Sequence, residues 1–365
     1  MTLFLHIGPP KTGTTYIQEM FVANLEAFRG PEFCYPTLGR DMTAHGRYPG
    51  HHGFSLEAEK YIGDKADPNL FSKWADILKK NKNVILSAEG MSGWNSLYIE
   101  GMKNIANMHD QDITIIYFVR EPNELVYSQW KEEVKLGLTE DLHEFLIKHL
   151  TDPKYSWRYN PLGDLVKFKM AAPEFDHHIY LYDVLKRQKI DIFSALTRNS
   201  FGMRGLSAGG GSVNASHSIE IIDAMLRLNE FLGQEHGALG GQVREAMYAL
   251  QLKEIPDVFS RIEKIYSANL SRKELVFARD TYHHSWLEQE IASQDGLGRY
   301  LKTSVPEGGI FPKDPLTLHY YHRRDVWANG TVSDQLRRLA DRLKPYLQSA
   351  AVAPGGWLAP LKEFS

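Results

Sequence analysis

The stretch Gly8-Pro9-Pro10-Lys11-Thr12-Gly13-Thr14-Thr15 follows an apolar run at residues 2–7 and precedes an amphipathic pattern that includes Ile17, Met20, Phe21 and Leu25. A short apolar run closed by Gly-Pro-Pro reads as a buried strand. Thr14 or Thr15 caps the helix that follows. Strand, glycine-bearing turn and helix in that order commit the start of the chain to an α/β unit. The turn is also where such a unit binds anions. The first N–H groups of a helix have no partner inside it and point outward. The helix dipole adds partial positive charge at the same place. Gly13 lets the backbone approach an oxyanion, Thr14 and Thr15 add hydroxyl donors, and Lys11 adds a full charge. A corner with no ligand would share the strand and the helix, but it has no need of this set of residues.

The alternation continues along the chain. Residues 83–88 and 113–119 read as a second and third strand, and 178–181 as a fourth. Helices are expected over 69–80, near 96–108, and from Pro122 onward, because proline suits a first helical turn. This predicts an α/β fold, a P-loop-like parallel sheet flanked by helices, with ligands on the rim formed by the strand C-terminal ends. From residue 191 the pattern turns helical, over 218–234, 241–252, 257–266, 272–292 and 333–343, the last stopped or kinked by Pro345. Residues 293–330 read as irregular, 30–65 as loops rich in Gly, Pro, His and Tyr, and 207–212 as a flexible joint. The expected organisation is an α/β core over 1–200 and a helical extension over 201–365 packed on it, either as an acceptor-binding part or within one single domain.

Composition narrows the function classes. The chain has 365 residues, 43% hydrophobic and 24% charged, which is ordinary globular composition. A formal charge of −3 excludes a global nucleic-acid or acidic-membrane binder, so any anion site is local. With Cys34 as the single cysteine, no intrachain disulfide and no cysteine-based zinc site can form. The run at 113–119 has strand length, far short of the ~20 residues a membrane helix needs. No basic start followed by an apolar core is visible, so no secretory signal is expected, and a soluble, cytoplasmic protein is. The glycosylation-like triplets at Asn214, Asn269 and Asn329 then read as chance matches.

A second informative stretch is Arg120-Glu121-Pro122, followed by Ser128. Arg120 ends the third strand, and Ser128 lies about two turns into the next helix. The guanidinium by a bidentate contact and the hydroxyl by a single bond can hold one phosphate. A nucleoside-triphosphate loop is the first comparison. Its pattern, Gly-x-x-x-x-Gly-Lys-Ser/Thr, shares the Gly8–Gly13 spacing, but Thr14 stands where the lysine belongs. Val119-Arg120 stands where an aspartate would hold Mg²⁺, although Glu89 after the second strand keeps that reading open.

Together the two stretches resemble the PAPS-dependent sulfotransferase family. Its 5′-phosphosulfate loop, Pro-Lys-Ser/Thr-Gly-Ser/Thr-Ser/Thr, is matched by Pro10, Lys11, Thr12, Gly13, Thr14 and Thr15. Its 3′-phosphate motif is matched by Arg120, Pro122 and Ser128. The start of the chain and Ile85-Leu86-Ser87-Ala88-Glu89-Gly90 look most like bacterial members. The resemblance is firm over residues 1–135 and thin beyond, where Val213-Asn214-Ala215-Ser216 resembles a short segment that follows the core in bacterial members. It implies transfer of a sulfuryl group from PAPS to an acceptor hydroxyl of a carbohydrate or small molecule, releasing PAP, with no metal. Lys11 and the Gly13–Thr15 amides would neutralise charge on the leaving phosphate, and the grip on the 3′-phosphate would orient the donor. The acceptor needs a base. Glu89, expected on the ligand rim, is the first candidate, with an ion pair to Lys11 or Arg120 as its alternative role. His51 and His52, with His45, are the second, in a loop that also carries Arg40 and Arg47. A Mg-ATP kinase or NTPase, and a non-catalytic nucleotide- or glycan-binding protein of the same fold, are the rival expectations.

Other features read as structural. His177-His178, His283-His284 and the pair His319 and His322 lack a supporting carboxylate cluster, so surface or packing roles are favoured over metal. Trp94, Trp130, Trp157 and Trp286 read as packing residues, with stacking on adenine or a sugar as the alternative. Lys186-Arg187-Gln188-Lys189 reads as a solvated basic face.

Overall fold

A computed structural model describes residues 1–347 except 41, 44–45, 48, 56–67, 152–155, 157–158, 207–216, 237–239, 280 and 294–296. His45, Trp157 and residues 207–216 therefore lie outside the described residues, as does the Arg47 side chain. The strands are β1 (Thr2–His6), β2 (Met42–Thr43), β3 (Gly46–Arg47), β4 (Asn83–Ser87), β5 (Asp112–Val119), β6 (Asp176–Leu181), β7 (Lys273–Phe277) and β8 (Leu316–Tyr320). The main sheet has the order β4-β1-β5-β6 and is parallel throughout, with Leu5 opposite Leu86 on one side and Ile115 on the other.

Period-two alternation sends the side chains to two faces. Leu3, Leu5, Val84, Leu86, Ile115, Tyr117 and Val119 enter one core with Trp94, Phe168 and Leu287. Phe4, Ile85, Ile116, Phe118 and Tyr180 enter the other with Phe21, Phe28 and Phe193. Burial on both faces is why the strands read as nearly unbroken apolar runs. The order of the strands reverses at β1, since β4 lies on one side and β5 and β6 on the other. Ligands of open α/β sheets bind at such a switch point, outside the strand C-terminal ends.

The chain divides into two compact units, Met1–Leu125 with Pro153–Val213 and Arg279–Lys313, and Val126–Asp152 with Asn214–Ala278 and Asp314–Ser365. A cut at residue 200 falls inside the first unit, which also takes back 279–313. The first unit holds the parallel sheet and its flanking helices. The second holds the helices Leu142–Leu150, Ile219–His236, Gln242–Lys253, Val258–Asn269 and Gly330–Leu347. No helix among the described residues is long and apolar enough to cross a membrane.

Three expectations are corrected, the first being that residues 293–330 are irregular: they hold β8 and the helix Arg323–Ala328. Residues 272–292 are not one helix: β7 comes first and pairs antiparallel with β8, and a helix follows at Tyr282–Ala292. The partner strand lies some forty residues downstream, so no local window contains the pairing, and β7 keeps Val276 66% exposed. Pro345 does not stop the last helix, which runs to Leu347; the proline falls in its final turn, near the end of the hydrogen-bond ladder.

The second unit is organised around one buried cation. Arg227, with a side chain 0% exposed, donates to Asp141 Oδ1 at 2.5 Å, Asp223 Oδ1 at 3.1 Å and Glu230 Oε1 at 2.9 Å. The Tyr266 hydroxyl donates to the other Asp223 oxygen at 3.0 Å. Burial pushes the Asp223 carboxyl up to about 6, against the pull of Arg227. Removing the guanidinium leaves three carboxylates facing one another, which costs about 3–5 kcal/mol in such settings. Arg227→Met is therefore expected to lose about that much stability in urea unfolding at pH 7. The loss is expected to be smaller at pH 5, where protonation relieves the carboxylates.

Candidate functional site

All four strands of the main sheet end on one rim, and each delivers residues to it. β1 runs into the loop 8–13 and then the helix α1 (Thr14–Ala23). Gly13 is the residue at the start of α1, with φ +82, and a Cβ there would lie 2.4 Å from Ile192 Cδ1. The positive φ is what favours glycine here, because the Ile192 Cδ1 that a Cβ would meet ends a flexible side chain that can shift. No side chain caps α1, which corrects the expected Thr14 or Thr15 cap, and its first amides are left for another acceptor. Lys11 also sits at positive φ, 69°. A non-glycine residue held there stores strain of the kind that gathers at ligand clamps.

The threonines divide by role. Thr12 is fully buried and its hydroxyl donates to the Pro9 carbonyl at 2.7 Å, so its side chain folds the loop. The Thr14 hydroxyl donates to the Glu89 carboxylate. Pro10 and Thr15 are half-buried on the loop. Glu89 is placed by the β1–β4 pairing: the Ala88 amide donates to the His6 carbonyl at 3.0 Å, and Glu89 Cα would be 3.6 Å from a Cβ on Gly8. The half-buried Glu89 carboxyl thus lies against the loop, with a hydrogen bond to Thr14.

Arg120 arrives from the end of β5. Its Nη1 donates to the Lys11 carbonyl at 2.5 Å and its Nη2 to Glu124 Oε2 at 3.0 Å. The Tyr182 ring, from the end of β6, lies 5.3 Å from the guanidinium carbon and 3.6 Å from the Cβ position of Gly13. Arg120 Nε is buried with no acceptor. Behind it, Glu121 is a fully buried carboxylate. It accepts from the amides of Asn123 at 3.1 Å and Glu124 at 2.7 Å, capping the Pro122–Lys135 helix, and from His284 Nε2 at 2.8 Å. Asp183 accepts from the Glu121 amide at 2.6 Å, and burial pushes its carboxyl up to about 6. Ser128 is half-buried on the Pro122–Lys135 helix and falls in the second unit.

The histidines separate cleanly. His51 is fully buried, with Nε2 donating to the Pro36 carbonyl at 2.9 Å and Nδ1 accepting from the Ser87 amide at 3.1 Å. Burial pushes its pKa down to about 3. Both ring nitrogens are spent on backbone, which removes His51 from the candidates for the base. His52 is half-buried beside it, in a helical turn at 52–55. His178 is tied to Ser200 at 2.8 Å, and His322 caps a helix by accepting from the Arg324 amide at 3.2 Å. No group of three or more His, Cys, Asp or Glu that could hold a metal occurs among the described residues. Trp94 and Trp130 are buried and donate to Ser55 and to the Glu140 carbonyl, while Trp286 is half-buried against His283. Sequence reasoning missed Tyr182, Asp183 and Arg279, because residues from separate segments meet here and none carries a local motif; His284, read as a surface or packing residue, is buried against Glu121.

Comparison of the chain with family models, with curated proteins and with solved structures gives no match.

Two buried neutral histidines give the fold an acid limit. His6 shares β1 with the loop and is bonded to the Ser87 hydroxyl at 2.7 Å; burial holds its pKa, like that of His51, near 3. The unfolded chain binds these protons at the ordinary value near 6.5, so stability is full above that pH and falls as pH drops toward 3. Each histidine contributes a slope of about 1.4 kcal/mol per pH unit inside that window. Thermal melts should therefore show a falling midpoint between pH 6.5 and 4.5, and a shallower fall in His51→Gln.

Proposed function

We propose that the chain is a sulfotransferase using PAPS, moving a sulfuryl group to a hydroxyl of a soluble carbohydrate or small-molecule acceptor in the cytoplasm and releasing PAP. The observation that carries this reading is the meeting of two distant motifs on one loop. Arg120 and Lys11, 109 residues apart, are joined by a hydrogen bond, and Glu89 reaches the same loop through Thr14. Two features fit an anionic nucleotide: α1 opens on a glycine with no side-chain cap, and Arg120 carries a buried Nε without an acceptor.

Bound there, PAPS would supply the sulfuryl group. The chain's own residues do the rest. Lys11 and the amides of Gly13, Thr14 and Thr15 neutralise charge that builds on the leaving phosphate. Arg120 grips the 3′-phosphate, and binding energy spent there orients the reacting end. A nucleotide without that phosphate leaves the arginine unpaired and is disfavoured. Glu89 takes the proton of the acceptor hydroxyl, the role that geometry denies to His51. A second reading, a Mg-ATP kinase or NTPase, draws on the Thr14–Glu89 pair, because a hydroxyl and a carboxylate side by side are ligands that Mg²⁺ accepts.

A thermal shift with PAP, with ADP, and with ATP plus Mg²⁺ separates the two. A ligand at 100 times its Kd stabilises by about 2.7 kcal/mol, a midpoint change of several degrees. PAP alone is expected to give it; a shift with ATP-Mg²⁺ and none with PAP would promote the kinase. Glu89→Gln is expected to keep PAP binding and to lower transfer by about 10²-fold or more. Retained transfer would move the base to His52 or His45.

A further inference from the structure

The Arg120 guanidinium is held in a way the 3′-phosphate motif does not explain. Arginine is long and carries about 2 kcal/mol of rotamer entropy, so a useful phosphate contact requires it to be fixed in advance. One oxygen of Glu124 accepts from Arg120 Nη2 at 3.0 Å. The other accepts from Arg279 Nη2 at 2.6 Å. Arg279 comes from the far segment 279–313 of the same unit, and its side chain is only 7% exposed. Its Nε lies 3.7 Å from Glu121 Oε2. A continuous relay therefore runs from Glu121 through Arg279, Glu124 and Arg120 to the Lys11 carbonyl. A guanidinium has five N–H donors. Among the described residues, the hydrogen bonds to Lys11 and Glu124 use one N–H from each terminal nitrogen and leave one on each.

We propose that Arg279 is a positioning residue of the anion site, holding the Arg120 guanidinium against the loop through the shared carboxylate of Glu124. The inference rests on the reading of Arg120 as the 3′-phosphate residue. Arg279 touches no ligand in this account; it acts on Arg120 alone. Glu124 has to be an anion for the relay to work, since two cations flank it. A glutamine there accepts from one guanidinium and turns an N–H toward the other.

The test is calorimetric titration of PAP and of ADP into the full chain, as wild type and as Glu124→Gln, Arg279→Ala and Arg279→Lys, with thermal melts as a check on folding. The wild type is expected to prefer PAP. Glu124→Gln and Arg279→Ala are expected to lose about tenfold in PAP affinity and to change by no more than about twofold for ADP. Arg279→Lys, which still donates to Glu124, is expected to stay within about threefold of wild type. If Arg279→Ala does not fold, the nearly isosteric Glu124→Gln decides. An unchanged PAP-to-ADP ratio in the variants overturns the inference alone. So does tighter PAP binding by Glu124→Gln, which would make Glu124 a competitor of the ligand. A wild type that does not prefer PAP brings down the 3′-phosphate reading and the inference together.

Discussion

β1 is hydrogen-bonded along both edges, to β4 and to β5, and that double pairing places the loop, Glu89 and Arg120. Its register with β4 brings Ala88 against His6, so Glu89 leaves the sheet directly over Gly8. Its register with β5 brings Arg120 level with the loop, where the guanidinium takes the Lys11 carbonyl. The sheet is parallel and buried on both faces, so a strand cannot slip by one residue without exchanging its two cores. The loop geometry is thus a consequence of packing elsewhere. Phe4 and Leu5, on opposite faces, hold the strand that leads into Lys11 and Gly13.

The charges at this rim are balanced against one another inside the protein. Glu121 and Glu124 answer Arg120 and Arg279, and Glu89 lies on Thr14. Buried ion pairs of this kind add little net stability, because the desolvation cost offsets most of the attraction. What they contribute is direction: a side chain gripped at two points has one orientation. The second unit uses the same device at Arg227, where one guanidinium gathers carboxylates from Asp141 and from the helix Ile219–His236. In the first unit Arg120 is held in the same way, between the Lys11 carbonyl and the Glu124 carboxylate, at the loop where α1 opens.

The sheet was legible because its strands are apolar on both sides. Residues 2–7, 83–88, 113–119 and 178–181 each contain an observed strand or most of one. The loop was legible because glycine and lysine sit between a strand and a helix. What the sequence hid was anything made by distant pairing. β7 has the length and spacing of a helical turn until β8 arrives to pair with it. Arg279, Tyr182 and His284 follow no motif, and only the fold brings them to Arg120 and Glu121. Thr12 and His51 matched the expected residue types, yet their polar atoms are turned inward onto Pro9, Pro36 and Ser87. One signal was present and unused: Asp141 and Glu144 form a capping box at the start of the helix Leu142–Leu150, and the spacing of the two acids marks it in the sequence.

The central claim is that the loop between β1 and α1 holds the phosphates of a nucleotide with Arg120 beside it. Amide hydrogen exchange of the full chain, with and without PAP, tests this most directly, because it reports where a ligand orders the backbone. The account predicts slowed exchange across residues 8–16 and around 120–124 when PAP is added, and little change there with adenosine. Unchanged exchange at the loop, or protection confined to another part of the chain, would contradict it.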